Sequence, residues 1–123
     1  MAIRNYRDLV AWQVSMDLVE AVCHLTKRFP KEELYALSTQ VRRAAFSIPS
    51  NIAEGQGRRR DREFAQFLRV AHGSLREVET QVLIAERLNY IDAAAANVVL
   101  ELANKAGQLI TGLLNSLELN SDK

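Results

Sequence analysis

The residues here that could do chemistry by type and spacing are arginines. Arg58, Arg59, Arg60 and Arg62 fall within five positions of the stretch "EGQGRRRDREF", and Arg69 and Arg76 follow at seven-residue steps. On a helix, Arg62, Arg69 and Arg76 share one side, and Arg87 falls in line eleven residues on. The result is a basic stripe roughly 40 Å long at a rise of 1.5 Å per residue. Guanidinium groups grip phosphate with two parallel N–H donors, and the chain uses twelve arginines against four lysines. Such a stripe, begun by the arginine run, could track the phosphates of RNA or DNA. The alternative is a solvated face whose arginines pair with Glu77, Glu79 and the acids of neighbouring subunits. Net charge is only +1, with a sequence pI near 7.9, below the usual footprint of a nucleic-acid-binding domain. The positive charge is unevenly placed, however. Residues 42–76 hold eight arginines against Glu54, Asp61 and Glu63, which leaves the remainder acidic.

Other chemistry lacks a constellation. "EGQGRRR" is no Walker loop, because no Gly-Lys-Ser/Thr follows and no strand precedes it. His24 and His72 have neither a partner histidine four residues away nor a glutamate three residues before, which argues against zinc and di-iron sites. Cys23 is the single cysteine, so no disulfide framework or thiolate cluster is expected. Ser47 and Ser50 have no base at an interpretable spacing. No enzyme, metal or cofactor is expected. No apolar run approaches the roughly 20 residues that cross a bilayer. "MAIRNYRDLVAWQ" lacks the apolar core of a signal peptide, and a cytoplasmic protein fits best.

The elements that must position the arginines are helices. Apolar residues make up 48% of the 123 residues and charged residues 25%, ordinary values for one globular domain. The 3.6-residue period dominates, with no alternation that suggests a sheet. Helix one is expected from about Asp8, as N-cap, to Phe29, where "FPKEE" breaks it. Helix two starts near Glu32, helix three runs from Asp61, as N-cap, to Leu88, and helix four from Asp92 to about Leu117. Short connections predict an all-α, antiparallel up-down-up-down four-helix bundle over residues 1–123, with loose ends at 1–7 and 118–123. Pro49 should kink helix two without ending it. Leu34, Leu37, Val41, Ala44, Ala45, Ile48 and Ile52 keep one face through the proline, beside a polar row of Gln40, Arg43, Ser47, Asn51 and Glu54. In that row Arg43 and Glu54 should be partly buried and hydrogen-bonded, with Ser47 and Asn51 bridging them. Glycine at 55 or 57 should then supply a left-handed cap.

Helix one has more apolar surface than a monomeric bundle uses. Leu9, Trp12, Met16, Val19 and Cys23 form one stripe; Ala11, Val14, Leu18, Val22, Leu25 and Phe29 form another. Together they span about 220°, where a little over 100° normally suffices. Tyr35, Phe46 and Ala53 add a smaller surplus on helix two. The expected use is self-association through Ala11, Val14, Leu18, Val22, Leu25, Tyr35 and Phe46.

The stretches "YRDLVAWQVSMDLVEAV", "FPKEELYALSTQVRRAAFSIPSNIAEG" and "FAQFLRVAHGSLREVETQ" resemble the 23S ribosomal RNA intervening-sequence proteins. The similarity runs from about Tyr6 to Tyr90. The family commonly has glycine where this chain has Ala36, and tyrosine near His24. Related proteins are accessory subunits of diversity-generating retroelements. The resemblance implies a left-handed bundle, a ring-shaped homopentamer, and as partners nucleic acid or a protein such as a reverse transcriptase. The expected function is a non-enzymatic oligomeric adaptor that binds RNA or DNA. The other reading is a protein-only scaffold whose arginines make intersubunit salt bridges.

Overall fold

In the computed structural model, residues 5–121 are described, with side chains through residue 118. Four α-helices follow one another: α1 (Val10–Thr26), α2 (Leu37–Gln56), α3 (Asp61–Arg87) and α4 (Ala93–Ser121). Short 3-10 turns at Tyr6–Asp8 and Lys31–Glu33 precede α1 and α2, and the described residues contain no strand. Each helix packs against two others: α2 and α4 both touch α1 and α3. The protein is an all-α bundle. Its core takes one face from each helix, with Leu18, Val22, Ile48, Ile52, Leu68, Leu75, Val78, Val82, Val99 and Ile110 essentially sealed from solvent.

The helix ends differ from expectation in instructive ways. Asp8 does not cap α1; it closes the 3-10 turn, and Leu9 takes the N-cap position without a side-chain bond. Asp61 is the first residue inside α3, and the extended N-cap is Arg60, also without a side-chain bond. Asp61 and Glu63 instead place negative charge in the first turn, where the helix dipole favours it. Asp92 does cap α4, its carboxylate accepting from the Ala95 amide at 2.8 Å. α1 stops at Thr26, α2 starts at Leu37, and α4 continues beyond Leu117 to Ser121. The expected loose ends fall partly outside the described residues, and Tyr6–Asp8 forms a turn whose Arg7 amide donates to Asn5 Oδ1.

α2 passes through Pro49 to Gln56, and the proline is buried. The residues after it carry donors. Ser50 Oγ donates to the Phe46 carbonyl at 2.8 Å, and Asn51 Nδ2 donates to the Ser47 carbonyl at 2.7 Å. These side-chain bonds fall on the carbonyls just after that of Ala45, the one Pro49 has no N–H to serve.

Neither elbow glycine adopts the left-handed conformation expected of it. Gly57 is right-handed at the end of α2, and the left-handed residue in the connection is Arg59, with φ of 68°. Gly55 is required for packing: a Cβ there would stand 2.6 Å from Phe67 Cβ, so α2 and α3 touch where the glycine lies. At the far end of α3, Asn89 takes φ of 61°, the Tyr90 amide bonds Ala85 O, and the Asn89 amide bonds Glu86 O. That pair of bonds closes the helix as a Schellman cap.

Candidate nucleic-acid interface

The basic segment sits where α2 hands over to α3. Arg58 is held from two sides: its guanidinium pairs with Glu54 at 3.1 Å and lies 5.2 Å from the centre of the Phe67 ring. Arg59, Arg60 and Arg62 are exposed and make no ion pair among the described residues. Arg59 is turned outward by its left-handed backbone, and Arg60 precedes an α3 start that no side chain caps. Farther along, Arg69 reaches Glu118 of α4 at 3.5 Å and Arg76 reaches Glu79 at 2.6 Å. Both arginines and Glu118 are solvent-exposed and Glu79 is partly so; ion pairs at a surface are worth about 0–1 kcal/mol. The six arginines thus divide: three engaged within the chain, and three free at the elbow.

The polar row is only half engaged. Ser47 Oγ lies 2.9 Å from Ser74 Oγ across the α2–α3 contact, and Asn51 Nδ2 also donates to Ser47 Oγ at 2.9 Å. Arg43 and Gln40 are exposed, and Glu54 is exposed and turned to Arg58. The expected burial of Arg43 and Glu54 is therefore wrong. Ser47 is the member of the row that bonds across to α3, through Ser74, and Asn51 is tied back to Ser47. Between these helices is an open groove of about 370 Å³, lined by Gln40, Arg43, Ser47, Ser74, Glu77 and Gln81.

The anticipated contact surface on α1 is also corrected. Leu18 and Val22 are 0% exposed, and Ala11, Val14 and Leu25 are buried with them inside the chain's own core. A side chain with no free surface in the single chain has none to offer a second copy. The apolar arc of α1 is wide enough to serve both purposes, but the core takes its middle. The flanks stay accessible: Val10 and Met16 are exposed, and Trp12, Val19 and Cys23 are half-buried. Tyr35, at 91%, and Phe46, at 48%, are exposed as anticipated.

Two features escaped the sequence reading. Between α1 and α4, Ala21, His24, Leu25, Arg28, Ala95, Val98 and Val99 line a mainly apolar groove of about 450 Å³, with Val98 59% exposed. Glu33 ties two connections together. One carboxylate oxygen accepts from the Leu37 amide at the start of α2, and the other from Tyr90 Oη at 2.8 Å. That bond to Glu33, helped by burial, holds the Tyr90 phenol above its ordinary pKa, because ionisation would set a phenolate against a carboxylate. Of the groove's apolar residues only Leu25 stood out in the helix periods of the sequence, and the meeting of α1 with α4 that forms the groove did not.

Among the described residues no group of three or more His, Cys, Asp or Glu is placed to hold a metal, and no helix is long and apolar enough to cross a membrane. No curated protein matches the chain. One solved structure with a similar fold is a protein of unknown function from the S23 ribosomal protein family of Bacteroides thetaiotaomicron. It is 19% identical, covers 85% of this chain and 97% of its own, and superposes with a TM-score of 0.78. Neither that description nor the family's names an enzymatic reaction. Residues 7–112 match the family model of the 23S rRNA-intervening sequence protein, and the chain belongs to that family.

Proposed function

We propose that the protein is a non-enzymatic, self-assembling cytoplasmic adaptor that carries nucleic acid on its basic elbow and on the arginine side of α3. The observation that supports this best is the cluster of Arg59, Arg60 and Arg62, three exposed guanidiniums within four residues with no carboxylate engaged among the described residues. Arg58, Arg69 and Arg76 extend the surface through exposed ion pairs that a phosphate can displace. Copies associate through the flanks of α1. The Trp12, Met16 and Phe46 side of one copy meets the Val10, Ala21 and Val98 side of the next. Two different patches on one chain make a head-to-tail contact, the kind that closes into rings; the family resemblance implies five copies. Each copy then repeats the elbow, and weak contacts add by avidity.

Filter binding of RNA and DNA oligonucleotides at low salt tests the assignment. The variant Arg59→Glu/Arg60→Glu/Arg62→Glu should lose binding more than tenfold, while its mass by light scattering stays that of the parent. Equal affinity of variant and parent would remove the elbow as the site. Absence of binding by both would favour the protein-only scaffold, in which the exposed arginines pair with acids of neighbouring copies.

A further inference from the structure

The crevice between α3 and α4 holds about 370 Å³ and has two chemically different walls. His72 and Arg76 stand on the α3 side; Asn104, Gln108, Thr111 and Asn115 stand on the α4 side. The α4 spacing of four, three and four residues puts those side chains in one row. Such a row is unusual for a solvated helix face. Long charged side chains normally cover one, because they lose little freedom in a helix. From Leu102 to Leu117, α4 carries a single charge, Lys105. Asparagine, threonine and glycine, all weak helix formers, recur there instead.

Packing explains one of these choices. A Cβ at Gly107 would stand 3.0 Å from Leu75 Cδ2, whereas at Gly112 it would meet nothing within 4 Å. Among the described residues nothing calls for Gly112 or for the exposed amides. A local departure from helix preference without a packing reason is expected at a working surface.

We propose that this crevice is a base-reading subsite for single-stranded nucleic acid. Asn104, Gln108 and Asn115 contact base edges, and Arg69 and Arg76 hold the phosphates. The inference rests on the nucleic-acid reading above and adds which part of the ligand is recognised. A primary amide offers a donor beside an acceptor, the pattern that matches adenine N6 and N7 in a two-point contact. Unpaired bases can be splayed into a crevice of this size, whereas in an RNA duplex the N6 and N7 edge of adenine lies in a deep, narrow groove that side chains cannot read. Arg76, which lines the crevice, is engaged by Glu79, and Arg69, seven residues earlier on α3, by Glu118; both guanidiniums are exposed, and a phosphate can replace either carboxylate. The arginines supply affinity and the amides supply preference.

The test is fluorescence anisotropy with short oligoadenylate and oligouridylate RNA, using the full-length protein and the variant Asn104→Ala/Gln108→Ala/Asn115→Ala. Alanine raises helix preference at each position, so the variant should fold at least as well as the parent. The parent should prefer oligoadenylate by about tenfold, the scale of one good two-point contact. The variant should bind both oligonucleotides with the parent's oligouridylate affinity. A parent without preference, or a variant that keeps it, overturns the subsite while leaving the basic elbow in place. Failure of the parent to bind either oligonucleotide at low salt overturns the nucleic-acid reading and this subsite together. A fall in the variant's mass by light scattering overturns it differently, by making the row a contact between copies.

Discussion

At the scale of single residues, burial decides what each side chain can be used for. Leu18 is sealed in the core, so Leu18→Ala should destabilise the fold by about 2–5 kcal/mol in urea denaturation, as core truncations do. An unchanged midpoint with a smaller particle mass would instead restore Leu18 to a contact surface. Glycines give a sharper contrast. Gly55→Ala drives a Cβ against the Phe67 Cβ, which cannot swing aside, and should cost about 1–3 kcal/mol. Gly112→Ala meets open space and should stabilise α4 by up to about 1 kcal/mol. Thermal melts of the two variants should therefore move in opposite directions. Tyr90 supplies a titration. Its pKa lies above the ordinary value of 10, chiefly because of the bond to Glu33. The stabilisation from that bond is complete below pH 10 and is lost as pH rises through the elevated value. Ultraviolet titration of Glu33→Gln should show Tyr90 ionising at lower pH than in the parent. Coincident curves would mean the bond does not form in solution.

At the scale of elements, the sequence made the helices legible and left their partners hidden. The apolar period marked all four helices, and the continuous face of Val41, Ala44, Ala45, Ile48 and Ile52 carried α2 through Pro49. Caps were harder to place. Asp8 and Asp61 both have the right side chain, but the extended residue that starts a helix is Leu9 in one case and Arg60 in the other. The width of the α1 arc was visible, but which third of it faces the core depends on where α2, α3 and α4 lie. The fate of the arginines was similarly hidden. Glu118, which engages Arg69, is 49 positions away in sequence, and no local pattern announces it. Gly55 looked like a cap because glycine often ends helices, when its role is to let Phe67 approach. The two proposed contact flanks, each extended by an exposed residue of α2 (Phe46) or α4 (Val98), carry a prediction of their own. Phe46→Glu and Val98→Glu place charge on exposed apolar patches. Each should reduce particle mass in light scattering while leaving the melting temperature of the fold nearly unchanged. Parent mass in both variants would clear these flanks of any role in assembly.

At the scale of the whole molecule, the proposed adaptor would work by repetition. One copy offers three free guanidiniums, a small charge on a protein whose net charge is only +1. The proposed ring would multiply that charge and present it on every copy, so that modest single contacts add to a usable affinity. The six nominated arginines were legible as a sequence feature, and their division into engaged and free required the fold. If phosphate contact carries the binding, salt must weaken it in proportion to the phosphates neutralised. On single strands each contributes a log–log slope of about 0.7, so the three elbow arginines of even one copy should give a slope of at least about −2. The decisive measurement is therefore the affinity for a single-stranded oligonucleotide across a series of salt concentrations. The account predicts a straight, steep log–log fall in the parent and a much shallower one in Arg59→Glu/Arg60→Glu/Arg62→Glu. A parent affinity independent of salt would contradict it.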